Sequence, residues 1–195
     1  MTTSDRGADD PKGAAPATTR TRKAPEPVQV VKGRRDAALA ALVGAVPYIA
    51  FLGIRFDRRG DELTAVLPFA ERLIGNPVLP ALHGGATAAF LEVASIIELG
   101  WSVLWDSMEG GAGQALAADW PAEGAPLPRL PKTIDFTIDY LRTGLPRDAY
   151  ARARVNRSGR RYASVHVEAW QDNRARPFAQ ATGHFLMPDR SVLAP

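Results

Sequence analysis

The chain has 195 residues, 46% of them apolar and 23% charged, which suffices for one domain with a sizeable core but is short for two. Without cysteine it has no disulfide framework, no thiolate metal site and no cysteine nucleophile. Its formal charge of +3 lies in the first 36 residues, which hold eight Lys/Arg against five Asp/Glu; residues 37–195 hold sixteen of each, so the folded part lacks the basic excess of a nucleic-acid protein.

Residues 1–33 are rich in Thr, Ala, Pro, Lys and Asp and show no apolar periodicity. They read as a disordered extension before a single domain over residues 34–190. No apolar run of the signal-peptide kind occurs in this stretch. A helix is expected from near Asp36, a candidate cap, to about Val46, where Pro47 disfavours its continuation. Residues 37–54 carry no charge, yet Gly44, Pro47 and Gly53 interrupt them. Leu39, Leu42, Val43, Val46 and Ile49 recur at helical spacing, so a core-facing helix is expected rather than a membrane span. Residues 54–56 and 63–69 read as the strands of a hairpin, closed by the turn-forming cluster Asp57-Arg58-Arg59-Gly60-Asp61.

Two prolines, Gly75 and Asn76 make residues 70–82 irregular. From Gly84 to Leu99 the sequence is apolar nearly all the way round, as befits a buried helix, and its Gly- and Ala-rich start lets neighbouring backbone come close. The Gly/Ala/Pro-rich stretch 106–131 reads as a long loop, either a lid or a plain insertion. Residues 134–140, 149–155, 163–170 and 177–187 alternate apolar and polar side chains, predicting four strands in hairpin-type succession and hence antiparallel. In the first of them Ile134, Phe136, Ile138 and Tyr140 alternate with Asp135, Thr137 and Asp139, as in a half-buried strand. The order is therefore helix, two strands, one buried helix, four strands. A helix apolar on every side needs a sheet wrapped around it, and this α+β arrangement, with an extra N-terminal helix, is that of the hot-dog fold.

Glu92 is the one charged residue between Arg72 and Glu98, and its neighbours three and four positions away are apolar except Ser95. Burying a carboxylate costs several kcal/mol unless it is paired, so Glu92 is either a functional group or an interface residue. The first amides of a helix lack intrahelical partners and lie at the positive end of its dipole. Gly84 and Gly85 present such amides with no side chain in the way.

The run Asn76-Pro77-Val78-Leu79-Pro80-Ala81-Leu82-His83-Gly84-Gly85-Ala86-Thr87-Ala88-Ala89-Phe90-Leu91-Glu92 resembles the signature of PaaI-like and 4-hydroxybenzoyl-CoA thioesterases. In that family His-Gly-Gly opens the central helix and an acidic residue stands nine positions after the His. Residues 134–142 and 181–185 are similar to the family's later strands. The resemblance implies hydrolysis of an acyl-CoA thioester with no cofactor. The Gly84 N–H would hold the thioester carbonyl, Glu92 would act as base or nucleophile, Asn76 would position water or carbonyl, and Gly85 would line the substrate. His83, by its place at the helix entrance, suits either a base or, in preference, a hydrogen bond that fixes and orients the turn. Asn76 stands about one residue away from the family's spacing. A non-hydrolytic protein binding acyl-CoA or an acyl carrier in the same pocket is the alternative.

Arg157, Arg160 and Arg161 form the densest basic cluster of the folded part and suit either the phosphates of CoA or a solvated hairpin. His83, His166 and His184 lack ligand spacing, so no metal site is expected. Open sheet edges and a half-built site lead us to expect a homodimer or homotetramer, in the cytoplasm, without nucleic-acid or membrane partners.

Overall fold

The computed structural model describes residues 26–109 and 129–188. Helix α1 (Val28–Gly44) begins eight residues before the expected start, so residues 28–33 of the expected extension are helical. Its first turn leaves Val28 and Val30 exposed, at 80% and 54%, and thus carries no burial pattern that periodicity could reveal. The rest of the extension lies outside the described residues. Pro47 opens a second helix, α2 (Pro47–Leu52), at the position where its missing N–H costs nothing. Gly53, at φ 75°, closes that helix in the left-handed conformation.

Strands β1 (Arg55–Arg59) and β2 (Glu62–Leu67) pair antiparallel up to Arg59 and Glu62, leaving a two-residue turn of Gly60 and Asp61, with Gly60 at φ 66°. Asp57, Arg58 and Arg59 therefore belong to the strand and not to a five-residue turn. β1 is an edge strand, where charged side chains are tolerated and pairing with further chains is discouraged. Between residues 70 and 82 a 3-10 turn (Glu71–Leu73) leads into β3 (Ile74–Asn76) and β4 (Ala81–Leu82), which pair with each other. Helix α3 (Gly84–Glu109) continues ten residues past its expected end. It takes up the first residues of the expected loop; the lid reading falls on residues 110–128, outside the described residues.

The remaining strands are β5 (Lys132–Tyr140), β6 (Ala149–Ser158), β7 (Tyr162–Trp170) and β8 (Ala179–Leu186). The six-stranded antiparallel sheet runs β1-β2-β6-β7-β8-β5, so β5 is not the hairpin neighbour of β6 that its sequence position suggests. The backbone explains the difference. The amides of Leu141 and Arg142 both bond to the Phe178 carbonyl, keeping the end of β5 on β8, and the carbonyl of Gly144 accepts from Leu82, drawing the connection past β4. Alternation identifies strands; it does not choose their partners.

The sheet wraps α3 because its inner face is small. Ala149, Ala151, Ala163, Ala169, Ala179 and Ala181 are all at most 2% exposed and let the helix approach closely, while Phe90, Leu91, Ile97, Leu99 and Trp101 of α3 are at most 1% exposed. By length and composition Gly84–Asp106 could cross a membrane, but 61% of its most apolar window is buried within this fold. Its apolarity is that of a core helix.

Candidate active site

The entrance to α3 is built by three neighbours. His83 is clamped by its own N–H, which donates to the Leu73 carbonyl at 2.8 Å, and by Gly75. A Cβ at position 75 would lie 2.7 Å from the His83 Cα, so only glycine lets β3 come so close. The His83 carbonyl accepts the first helical bond, from Thr87 N–H at 3.0 Å, and the His83 Nδ1 accepts from Gly85 N–H at 2.9 Å. That is the geometry of a side-chain N-cap, with an imidazole nitrogen in place of the usual oxygen. It occupies the Gly85 amide and holds Nδ1 unprotonated, leaving the proton of the neutral ring on Nε2. The Gly84 amide remains the first N–H of the helix, with no intrahelical acceptor and at the positive end of the dipole.

Glu92 lies eight residues further on, about 12 Å along the helix axis. Its carboxylate is half-buried and accepts a hydrogen bond of 2.6 Å from the Thr133 hydroxyl. Strict alternation would turn Thr133 outward and Ile134 inward. A bulge intervenes: Thr133 pairs with Phe185 and Asp135 with His184, so Ile134 is the extra residue. Ile134 is consequently 57% exposed, against the expectation of an inward position, and Thr133 faces α3. Bulges beside active sites commonly re-aim a side chain in this way. Thr133 was not among the sequence candidates because nothing in the alternation of β5 announces the bulge.

Asn76 stands on β3, exposed, and its Oδ1 accepts from the amides of Val78 and Leu79 at 3.0 and 3.2 Å. Its carbonyl shapes the β3–β4 loop, which leaves its NH2 group for other partners. Of the arginine cluster, Arg160 and Arg161 line a cleft of about 370 Å³ together with Leu186 and Met187. Strand register puts Tyr162, Leu186 and Lys132 in one row, so this cleft sits beside Thr133 at the Glu92 end of β5. Arg157 lies on β6 opposite Ser164, apart from that lining. The histidines are dispersed: the Nδ1 of His184 meets Asp135 at 2.9 Å on the outer face, and among the described residues no group of three metal-ligating side chains is present.

A second carboxylate of α3 sits in a different environment. β2 pairs with β6 only from Ala65–Ala151 to Leu67–Ala149, and where the strands part a cleft of about 410 Å³ opens, with Glu62, Glu98, Arg152, Arg154, His166 and Glu168 in its lining. Burial pushes the Glu98 carboxyl up to about 7; Asp61 and Glu62 push the same way and Arg152 opposes them.

The profile of the acyl-CoA thioesterase N-terminal domain matches residues 76–186, a span containing the loop, the His83-Gly84-Gly85 entrance, Glu92 and Thr133. A protein of Chromobacterium violaceum is 31% identical, with a TM-score of 0.55 over 83% of this chain and 98% of its own. The PaaI protein of the Escherichia coli phenylacetic acid degradation operon is 14% identical, with a TM-score of 0.58 over 80% of this chain and 94% of its own, and so shares the hot-dog fold. A Bacillus halodurans protein solved with CoA shares it at 22% identity and a TM-score of 0.51, over 83% of this chain and 94% of its own. No curated protein matches the chain.

Proposed function

The chain belongs to the acyl-CoA thioesterase N-terminal domain family, and from that premise we propose that it hydrolyses an acyl-CoA thioester to the free acid and CoA in a site shared between two copies. The observation that carries this reading is the pair of half-sites on α3: an unpaired amide at Gly84 and a carboxylate at Glu92 held by Thr133. The Gly84 N–H donates to the thioester oxygen and stabilises the negative charge that develops there when the carbonyl carbon is attacked. Glu92 takes a proton from the attacking water, or itself attacks and is later released by water. On either route one water is consumed, the C–S bond breaks, and the thiolate leaves as CoA-SH after gaining a proton.

A separation of about 12 Å along one helix is too great for a single carbonyl to reach both groups, so the carbonyl held at Gly84 of one copy meets the Glu92 of another. Edge strand β5 carries Thr133 and has one open ladder, which suits association as a homodimer or a dimer of dimers. Arg160 and Arg161 offer the CoA phosphates charge-assisted bonds, with Lys132 nearby in the same row. CoA bound to the B. halodurans relative supports this ligand class. The cytoplasm is the compartment that this reading assigns.

The test is release of free thiol from acetyl-, hexanoyl-, benzoyl- and palmitoyl-CoA by the purified chain, alongside Glu92→Ala. We expect turnover of at least one ester and a fall in kcat of at least about a hundredfold in the variant. Tight binding of the esters without turnover would replace the hydrolase with a binding protein, and an unaffected variant would remove Glu92 from the chemistry.

A further inference from the structure

Tyr140 ends β5, in phase with the inward-facing Phe136 and Ile138, and its hydroxyl donates to the Gly84 carbonyl at 2.8 Å. Its ring lies against the same residue: a Cβ at position 84 would stand 3.3 Å from the hydroxyl oxygen and 3.4 Å from Cζ. The residue is nevertheless 56% exposed. A tyrosine that buries so little of itself contributes less through packing than through the bond its hydroxyl makes.

We propose that Tyr140 is a positioning residue for thioester hydrolysis, its hydroxyl gripping the Gly84 carbonyl and so fixing where Gly84, and with it the oxyanion amide, stands against the sheet. The inference rests on the hydrolytic reading above. An amide stabilises an oxyanion only when it lies within about 2.7–3.1 Å of the place the oxygen will occupy. The Gly84 N–H belongs to the His83–Gly84 peptide, whose carbonyl Thr87 holds, whereas Tyr140 holds the next peptide at the Gly84 carbonyl; having no Cβ, Gly84 would otherwise turn more freely between the two. His83 holds it from before and the Gly85–His83 bond from after. The Tyr140 hydroxyl supplies the third anchor, from the sheet.

The experiment compares the full chain with Tyr140→Phe, which keeps the ring and deletes the bond, on the same four acyl-CoA esters, and records thermal unfolding of both. We expect kcat to fall roughly three- to thirtyfold, in keeping with a small misplacement of a catalytic group, while KM and the melting temperature stay close to those of the parent. An active parent with an unchanged kcat in Tyr140→Phe, a loss expressed wholly in KM, or a variant that fails to fold would each overturn the positioning role and leave the hydrolytic reading standing. A parent that turns over none of the four esters would overturn both.

Discussion

Glu92 and Glu98 lie on one helix six positions apart, and their surroundings assign them different work. Glu92 keeps a hydroxyl partner, Thr133, and faces β5. Glu98 sits where β2 and β6 part, and burial raises its carboxyl from 4.5 to about 7. Between those values the folded state retains a proton that the unfolded chain has lost, so stability falls with rising pH across this window. The contribution is complete below about pH 4.5 and lost as pH rises through about 7. Glu98→Gln, neutral at every pH, should flatten that dependence and be more stable than the parent at pH 8 by on the order of 1–3 kcal/mol, as read from urea titrations across the range. Parallel pH profiles for the two chains would contradict the burial of this charge. The isolation of Glu92 in sequence was legible, as was the His-Gly-Gly entrance. Thr133 was not, because the bulge that turns it inward depends on pairing with β8, and Glu98 was not, because its cleft depends on two distant strands diverging.

At the scale of elements, periodicity located each major helix and strand but misjudged how far several extend. α3 shows why. Beyond Leu99 it becomes less uniformly apolar, yet Trp101 is 1% exposed and its Nε1–H donates to the Asp61 carbonyl in the β1–β2 turn at 2.9 Å. The Arg58 guanidinium lies 5.9 Å from the centre of the Trp101 ring and bonds Asp36 of α1 through its Nε at 3.0 Å. The C-terminal part of α3 is thus held by a hairpin and a helix far away in sequence. Trp101→Ala should cost about 3–5 kcal/mol, measured by urea unfolding, since it leaves a large cavity and an unmet carbonyl. A loss below about 1 kcal/mol would show that this clasp does not hold the elements together. The same dependence on distant partners explains β5: its alternation was legible, and its place beside β8 was fixed by the backbone bonds of the segment that follows.

At the scale of the whole molecule, the hot-dog architecture was legible because one helix apolar on every side admits few solutions, and the sheet around α3 is the one found. How copies of the chain come together was not legible from a single sequence, and the proposed chemistry depends on it. If Gly84 of one copy serves the Glu92 of another, two differently damaged chains can repair each other. Glu92→Gln removes the carboxylate. Gly84→Val sets a branched side chain where even a Cβ would stand 3.3 Å from the Tyr140 hydroxyl, displacing the oxyanion amide. The decisive measurement is thiol release by the heterodimer purified from cells expressing both chains with different tags. The homodimer of each variant should be nearly inactive, and the heterodimer, holding one intact site of two, should recover about half the activity of the unsubstituted homodimer. A heterodimer as inactive as the two variant homodimers would contradict the shared site.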